Sequence, residues 1–262
     1  MNKRTVLLLL VVAAASSPVL KAGPVESSKE VQTAPQENPW SFSLTPYGWA
    51  TAINGTISAG NRSADVDIAF KDVLKHLDMA FIMAGEVRYK RWGLTGDLIY
   101  ARLHDDIAPP AGILFSSTHE VVKETIGTVV LSYRAIDSQK TFLDVFAGAR
   151  VYNFYSQIVL RRRFAPQGVN VSGTSTWADP IIGLRARHYV ARAVFLNLYG
   201  DIGGFGAGSE FSWQVLGTAG IQASRWCDLQ LGYRALGFDY EPGRVKQDLV
   251  THGPIMGATF HF

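Results

Sequence analysis

With 262 residues, 47% of them hydrophobic and 11% aromatic, the chain is long enough for one large barrel or two small domains. Its net charge of +3 carries no argument for nucleic acid. Lys3, Arg4 and Lys21 all precede Gly23 with no acid among them, so from Gly23 onward 22 acids meet an equal number of bases. A lone Cys227 excludes an internal disulfide and any zinc-type cysteine spacing, and is read as a small outward-facing strand residue.

The chain opens with Lys3 and Arg4 before the apolar run Val6 to Ala15, followed by small residues. This pattern predicts a secretory signal peptide over 1–22, too short for a membrane span. Cleavage after Ala22 leaves Leu20 at the −3 position. Cleavage after Ala15 places Ala13 there but shortens the apolar region, so both sites stay open. Residues 23–39, polar and broken by Pro24 and Pro35, read as a disordered periplasmic leader. Beyond it no run reaches the ~18 apolar residues of a membrane helix. A closed sheet is the other structure that hides apolar surface in lipid, because it leaves no backbone group unpaired.

From Trp40 the period is two. Ser41, Ser43, Thr45, Tyr47 and Thr51 oppose Phe42, Leu44, Pro46, Gly48 and Ala50, with Pro46 marking a bulge or a pairing gap. Asn54-Gly55 is a turn signal. Ala64 to Phe70 alternates like a short strand, and Lys71 to Leu77 reads as a short helix. Both are placed in a long first outer loop that covers or enters the barrel mouth. Further strands are expected near 79–91, 93–103, 119–134, 141–159, 173–189, 193–203, 209–223, 227–240 and 246–262. With 41–53 they make ten, each long enough to span at a tilt. Connections alternate between short (91–93, 135–140, 190–192, 225–226) and mostly longer ones, as in barrels with short periplasmic turns and long outer loops. Trp92, Trp226, Tyr133, Tyr152, Tyr155 and Tyr189 fall near strand ends, where aromatic girdles are expected.

The charged residues share the face opposite the apolar one. Asp144 and Arg150 alternate with Leu143, Val145 and Val151; Asp179, Arg185 and Arg187 alternate with Ile182 and Leu184. Glu86, Arg88 and Lys90, then Asp97, Asp201 and Arg234, complete the set. On a lipid face each Arg or Lys would cost about 2–4 kcal/mol, so all eleven are expected inside as a lattice of ion pairs. A soluble barrel would turn this face outward. Eight-stranded barrels are filled by side chains and sixteen-stranded porins hold water, so ten strands with balanced charges imply an occluded or very narrow lumen.

The last stretch, Pro254 to Phe262, carries Met256, Ala258, Phe260 and Phe262 on one face and ends on an aromatic. It resembles the closing strand of bacterial outer-membrane barrels, whose terminal Phe is an assembly signal. More specific blocks are Pro46-Tyr-Gly-Trp49, Ala64-Asp-Val-Asp67, Arg91-Trp-Gly-Leu94, Trp177-Ala-Asp-Pro180, Gly200 to Gly206 with Ser209 to Trp213, and Leu231-Gly-Tyr-Arg234. Across residues 40–262 the chain resembles a family of bacterial outer-membrane β-barrel proteins without assigned function. That resemblance implies a location and a fold but no reaction. It also implies outer-membrane lipid, lipopolysaccharide and, through Phe262, the barrel-assembly machinery as partners.

The expected fold is therefore all-β: an antiparallel up-and-down transmembrane barrel over 40–262, of about ten strands (8–12), with a short helix in its first outer loop. Gly203 to Gly208 does not make a phosphate loop, because a strand rather than a helix follows. No cofactor, metal or nucleic acid is expected, and no enzymatic activity. The alternative is an outer-rim hydrolase using His104-Asp105-Asp106 and His119, with His252 nearby. Blocks typical of omptin proteases are missing, and His188, next to Tyr189, falls near a periplasmic turn rather than in the leaflet that holds lipid A.

Overall fold

The computed structural model describes residues 39–60, 62–107, 115–162, 169–241, 243 and 245–262; for 59, 62, 104–107, 115–120, 156, 158–162 and 169–171 it describes the backbone alone. The expected signal peptide, and the leader apart from Pro39, lie outside the described residues.

Among the described residues, twelve strands form a single antiparallel sheet that closes on itself. They are β1 (Trp40–Trp49), β2 (Ala52–Ala59), β3 (Arg62–Ile68), β4 (Leu77–Tyr89), β5 (Trp92–Ile107), β6 (Phe115–Asp137), β7 (Thr141–Arg162), β8 (Val169–Tyr189), β9 (Val194–Gly204), β10 (Phe211–Gln222), β11 (Cys227–Tyr240) and β12 (Val245–His261). Helix α1 (Phe70–His76) separates β3 from β4. β1 and β4 through β12 pair in chain order, and β12 returns to β1, giving a closed ring of ten staves. β12 is long enough to serve two partners. Residues 255–261 pair with β1, while 245–252 pair with β2, which carries β3 on its other edge. The hairpin β2–β3 thus extends the wall outward.

Asn54-Gly55 lies inside β2 instead of forming a turn. The alternation of Ile53, Thr56 and Ile57 against β12 and β3 overrides the local turn preference, and the chain reverses at Gly60, where φ is +60°. Pro46 does interrupt pairing: the β1–β12 ladder runs through Leu44↔Phe260 and resumes at Tyr47↔Gly257.

Short turns gather at one end, with β1 beginning and β12 ending there. Ser138 N donates to Thr141 O at 3.0 Å, Val190 N to Val194 O at 3.0 Å and Ala223 N to Cys227 O at 3.0 Å. The first of the short turns, at Lys90, is tied to the strand beside it by Lys90 N donating to Pro39 O at 3.0 Å.

Burial is inverted relative to a water-soluble barrel. Leu198, Leu231 and Met256 are 65%, 61% and 65% exposed, whereas Arg150 and Asp179 are fully covered. Trp40 packs on Tyr89 (ring centroids 4.8 Å apart) and Trp92 on Tyr133 (5.0 Å), making an exposed aromatic collar at the short-turn end. Tyr152 does not belong to it: its strand parity turns it inward, where it is fully buried. Cys227 is likewise buried, although it shares strand parity with the outward Leu229 and Leu231. His188 is exposed and its Nδ1 lies 2.8 Å from Thr141 Oγ1.

Candidate functional site

The interior is layered along the barrel axis, and strand register sets the layers. At the short-turn end Arg187 donates from Nε to Asn197 Oδ1 (2.8 Å) and from Nη1 to Asp228 Oδ2 (3.1 Å). His261 Nε2 lies 3.0 Å from the same carboxylate oxygen. Asn197 then donates to Thr218 and Gln230 at 3.1 and 3.0 Å.

The next layer places three guanidinium groups on two carboxylates. Arg88 donates to Asp144 Oδ2 (2.6 Å) and to Glu86 Oε1 (2.9 Å). Arg185 bridges the same pair, at 2.6 Å to Glu86 and 2.8 Å to Asp144. Arg134 reaches Asp144 Oδ1 at 3.0 Å.

Above it, Arg234 donates to Asp97 Oδ2 (3.0 Å), Tyr47 Oη (2.7 Å) and Gln214 Oε1 (2.6 Å from Nη2), while the Tyr47 hydroxyl donates to Asp97 Oδ1 at 2.5 Å. Arg150 grips Asp201 with both terminal nitrogens, at 3.1 and 2.5 Å, and neither side chain is exposed. Forked guanidinium–carboxylate contacts of this kind are directional and about twice as strong as neutral hydrogen bonds. They are needed here, because an unpaired charge at such a depth is very costly.

Toward the loop end the lumen turns apolar. Ile99, Ile126, Tyr152, Trp177, Leu236 and Phe238 form one buried cluster, with Trp49, Ile82, Phe154, Tyr240 and Leu249 packed against it. Trp177 stacks on Tyr240 at 3.7 Å and 8°, and on Tyr152 at 4.9 Å. Its indole Nε1 donates to Ser209 Oγ at 2.9 Å. A cavity of about 450 Å³ lies on the short-turn side of the cluster, lined by Ser43, Thr45, Thr95, Asn197, Gln230 and by Glu86, Arg88, Asp97, Arg134, Asp144, Arg185, Arg187 and Arg234 of the ion pairs.

Of the eleven residues expected in the lattice, Glu86, Arg88, Asp97, Asp144, Arg150, Arg185, Arg187, Asp201 and Arg234 are joined in ion pairs. Two are not. Lys90 is exposed at the turn after β4 with φ +54°, its ammonium 5.4 Å from the Tyr89 ring centre, because the strand ends before the inward parity reaches it. Asp179 is buried but holds backbone: its Oδ1 accepts from Ser209 N at 2.7 Å and so braces the glycine turn at Gly204 and Gly206.

Other members of the network were not assigned to it from the sequence. Arg134 and Asp228 carry the inward parity of their strands, two residues from Ser132 and Gln230, so alternation could have found them. His261 lies on the polar face of the closing strand. Tyr47 was placed on the correct face, but its hydrogen bonds depend on β5 and β11, which local pattern does not reveal.

Of the rim residues weighed for hydrolysis, His104, Asp105, Asp106 and His119 have side chains outside the described residues. His252 is described: its Nδ1 is 2.6 Å from Tyr233 Oη and its Nε2 2.7 Å from Asn54 Oδ1, on the outer surface and not in the lumen. Among the described residues no three His, Cys, Asp or Glu side chains converge as a metal site would require.

No family model and no curated protein matches the chain. Solved structures similar to it include the attachment invasion locus protein Ail of Yersinia pestis (12% identity, covering 85% of this chain and 98% of that one, TM-score 0.37). Neisserial surface protein A is another (12% identity, 86% and 98% covered, TM-score 0.34), as is the toluene transporter TodX of Pseudomonas putida (9%, 87% and 90%, TM-score 0.32). The assignment itself rests on the closed ladder and the inverted burial: the chain is a ten-stave β-barrel of the outer-membrane type, with apolar residues outward and charged residues inward.

Proposed function

We propose that this is an integral outer-membrane barrel whose lumen is closed to ordinary solutes, so that its role is structural or limited to passage of very small ones. One observation carries the reading. Along the axis, the guanidinium–carboxylate layers from Arg187–Asp228 to Arg150–Asp201 are followed directly by the packed Tyr152–Trp177–Phe238 cluster. Among the described residues, each of six inward guanidinium groups (Arg88, Arg134, Arg150, Arg185, Arg187, Arg234) is held by a carboxylate (Glu86, Asp97, Asp144, Asp201 or Asp228), so none stands free to draw anions through. Outer-membrane lipid, lipopolysaccharide and the assembly machinery acting on Phe262 belong to the same reading as partners.

Single-channel recording of the refolded protein in planar bilayers tests it. Conductance far below that of a water-filled porin, or none, is expected. Sustained steps of porin size would refute the closed lumen.

A further inference from the structure

On the outer face of β5 and β6 the register sorts side chains into rows. Trp92 pairs with Tyr133 in the collar at the short-turn end, and ten residues further along both strands Arg102 pairs with Lys123 on the same face. At ~3.3 Å per residue and a tilt of ~40°, that stretch climbs about 25 Å, the height of the apolar band of an outer-membrane barrel. Between the two rows stand exposed Leu94, Leu98, Val129 and Leu131. One row below Lys123 the wall turns polar, where Asn153 Nδ2 donates to Thr176 Oγ1 at 2.6 Å. The two cations therefore stand at the loop-end boundary of the hydrocarbon.

Like charges directly opposite on a ladder repel each other. Their neighbours leave that repulsion in place. Asp78 Oδ2 lies 3.1 Å from Arg102 Nε, but without the alignment of a hydrogen bond. Lys123 meets no carboxylate among the described residues; its ammonium lies 5.3 Å from the ring centre of Tyr155, its cross-strand partner on β7. An anion between the two cations would satisfy both, and a guanidinium beside an ammonium suits the oxygens of a phosphate. Closer to the collar the same wall is shallow. Nothing stands within 4 Å of where side chains on Gly96 and Gly127 would begin, and Ala149, opposite Val129, extends the depression onto β7.

We propose that this face is an outer-leaflet site for lipid A, with one phosphate held between Arg102 and Lys123 and an acyl chain lying over Gly96 and Gly127. The contact rests on the outer-membrane barrel proposed above. The occupant is a lipid phosphate and not a soluble anion, because the apolar wall begins within two rows of the cations. It is lipid A and not a phospholipid, because the row stands at the loop end, remote from the short periplasmic turns and in the leaflet that holds lipid A.

Native mass spectrometry of the folded, full-length protein in detergent with purified lipid A tests the site. The wild type is expected to retain a lipid A molecule, and Arg102→Gln combined with Lys123→Gln to lower the retained fraction roughly tenfold. Arg91→Gln with Lys140→Gln removes the same charge from exposed positions at the short-turn end and should leave retention unchanged. Lipid A stripped of its phosphates should be retained as poorly by the wild type as intact lipid A is by the first double variant. Equal retention by that variant and the wild type overturns the proposal, and so does equal retention of the phosphate-free lipid. Phosphatidylglycerol held as well as lipid A overturns the choice of occupant. If the double variant does not fold, Lys123→Gln alone, with rescue by Lys123→Arg, gives the same decision. Failure of the wild type to insert into lipid vesicles, read by protease protection, would refute the barrel and the site together. Insertion without retained lipid A refutes the site alone.

Discussion

The two halves of the lumen are lined by opposite chemistry. Near the short turns, charged and amide side chains each satisfy several partners, as Asp144 does for Arg88, Arg134 and Arg185. Toward the loops, rings from β7, β8 and β11 stack with few hydrogen bonds. The difference teaches that one barrel wall can be braced from inside by two kinds of contact. A polar lattice fixes strand geometry through directed contacts but fails when one member is lost. An apolar cluster tolerates exchange more evenly, losing stability in proportion to the volume removed.

The sharpest way to break this contrast is Arg150→Ala, which leaves Asp201 buried and uncompensated. A loss of about 3–5 kcal/mol is expected from urea titration of the protein in lipid vesicles. Replacing both as Arg150→Met with Asp201→Leu should recover most of it, because two apolar groups need no partners. In the apolar half, Leu236→Ala, at a fully buried site, should cost about 3 kcal/mol and leave a cavity, without the rescue seen for the ion pair. Asp179→Ala strips the acceptor from Ser209 N and should cost about 1–3 kcal/mol. Increased protease sensitivity at the Gly204–Ser209 turn would accompany it. Smallest of all, Lys90→Ala should change stability by no more than about 0.5 kcal/mol, since this side chain is exposed at a turn. A larger loss at Lys90 would restore it to the lattice.

Most of the wall was legible in the chain because a strand between lipid and lumen must alternate at every step. Leu143, Val145 and Val151 against Asp144 and Arg150 state both faces without tertiary information. The helix at Phe70–His76 and the strand beside it were legible for the same reason, as the period changes there. Asn54-Gly55 misled because a local turn preference competed with ladder pairing to β12 and β3, and pairing won. Lys90 misled because parity says which side a residue points to but not whether the strand still continues.

Alternation, charge balance and the aromatic closing strand determined the barrel and put its mid-strand charges inside, because hydrocarbon penalises an outward Arg most near the middle of the membrane. Which carboxylate each guanidinium meets was decided only by tertiary structure. Arg150 lies opposite Asp179 on the neighbouring strand and yet bonds Asp201 one strand further on. Partner choice across a lumen depends on the stagger and curvature of all ten staves, as does the place where β1 and β4 part. Neither quantity is stored in any short stretch of chain.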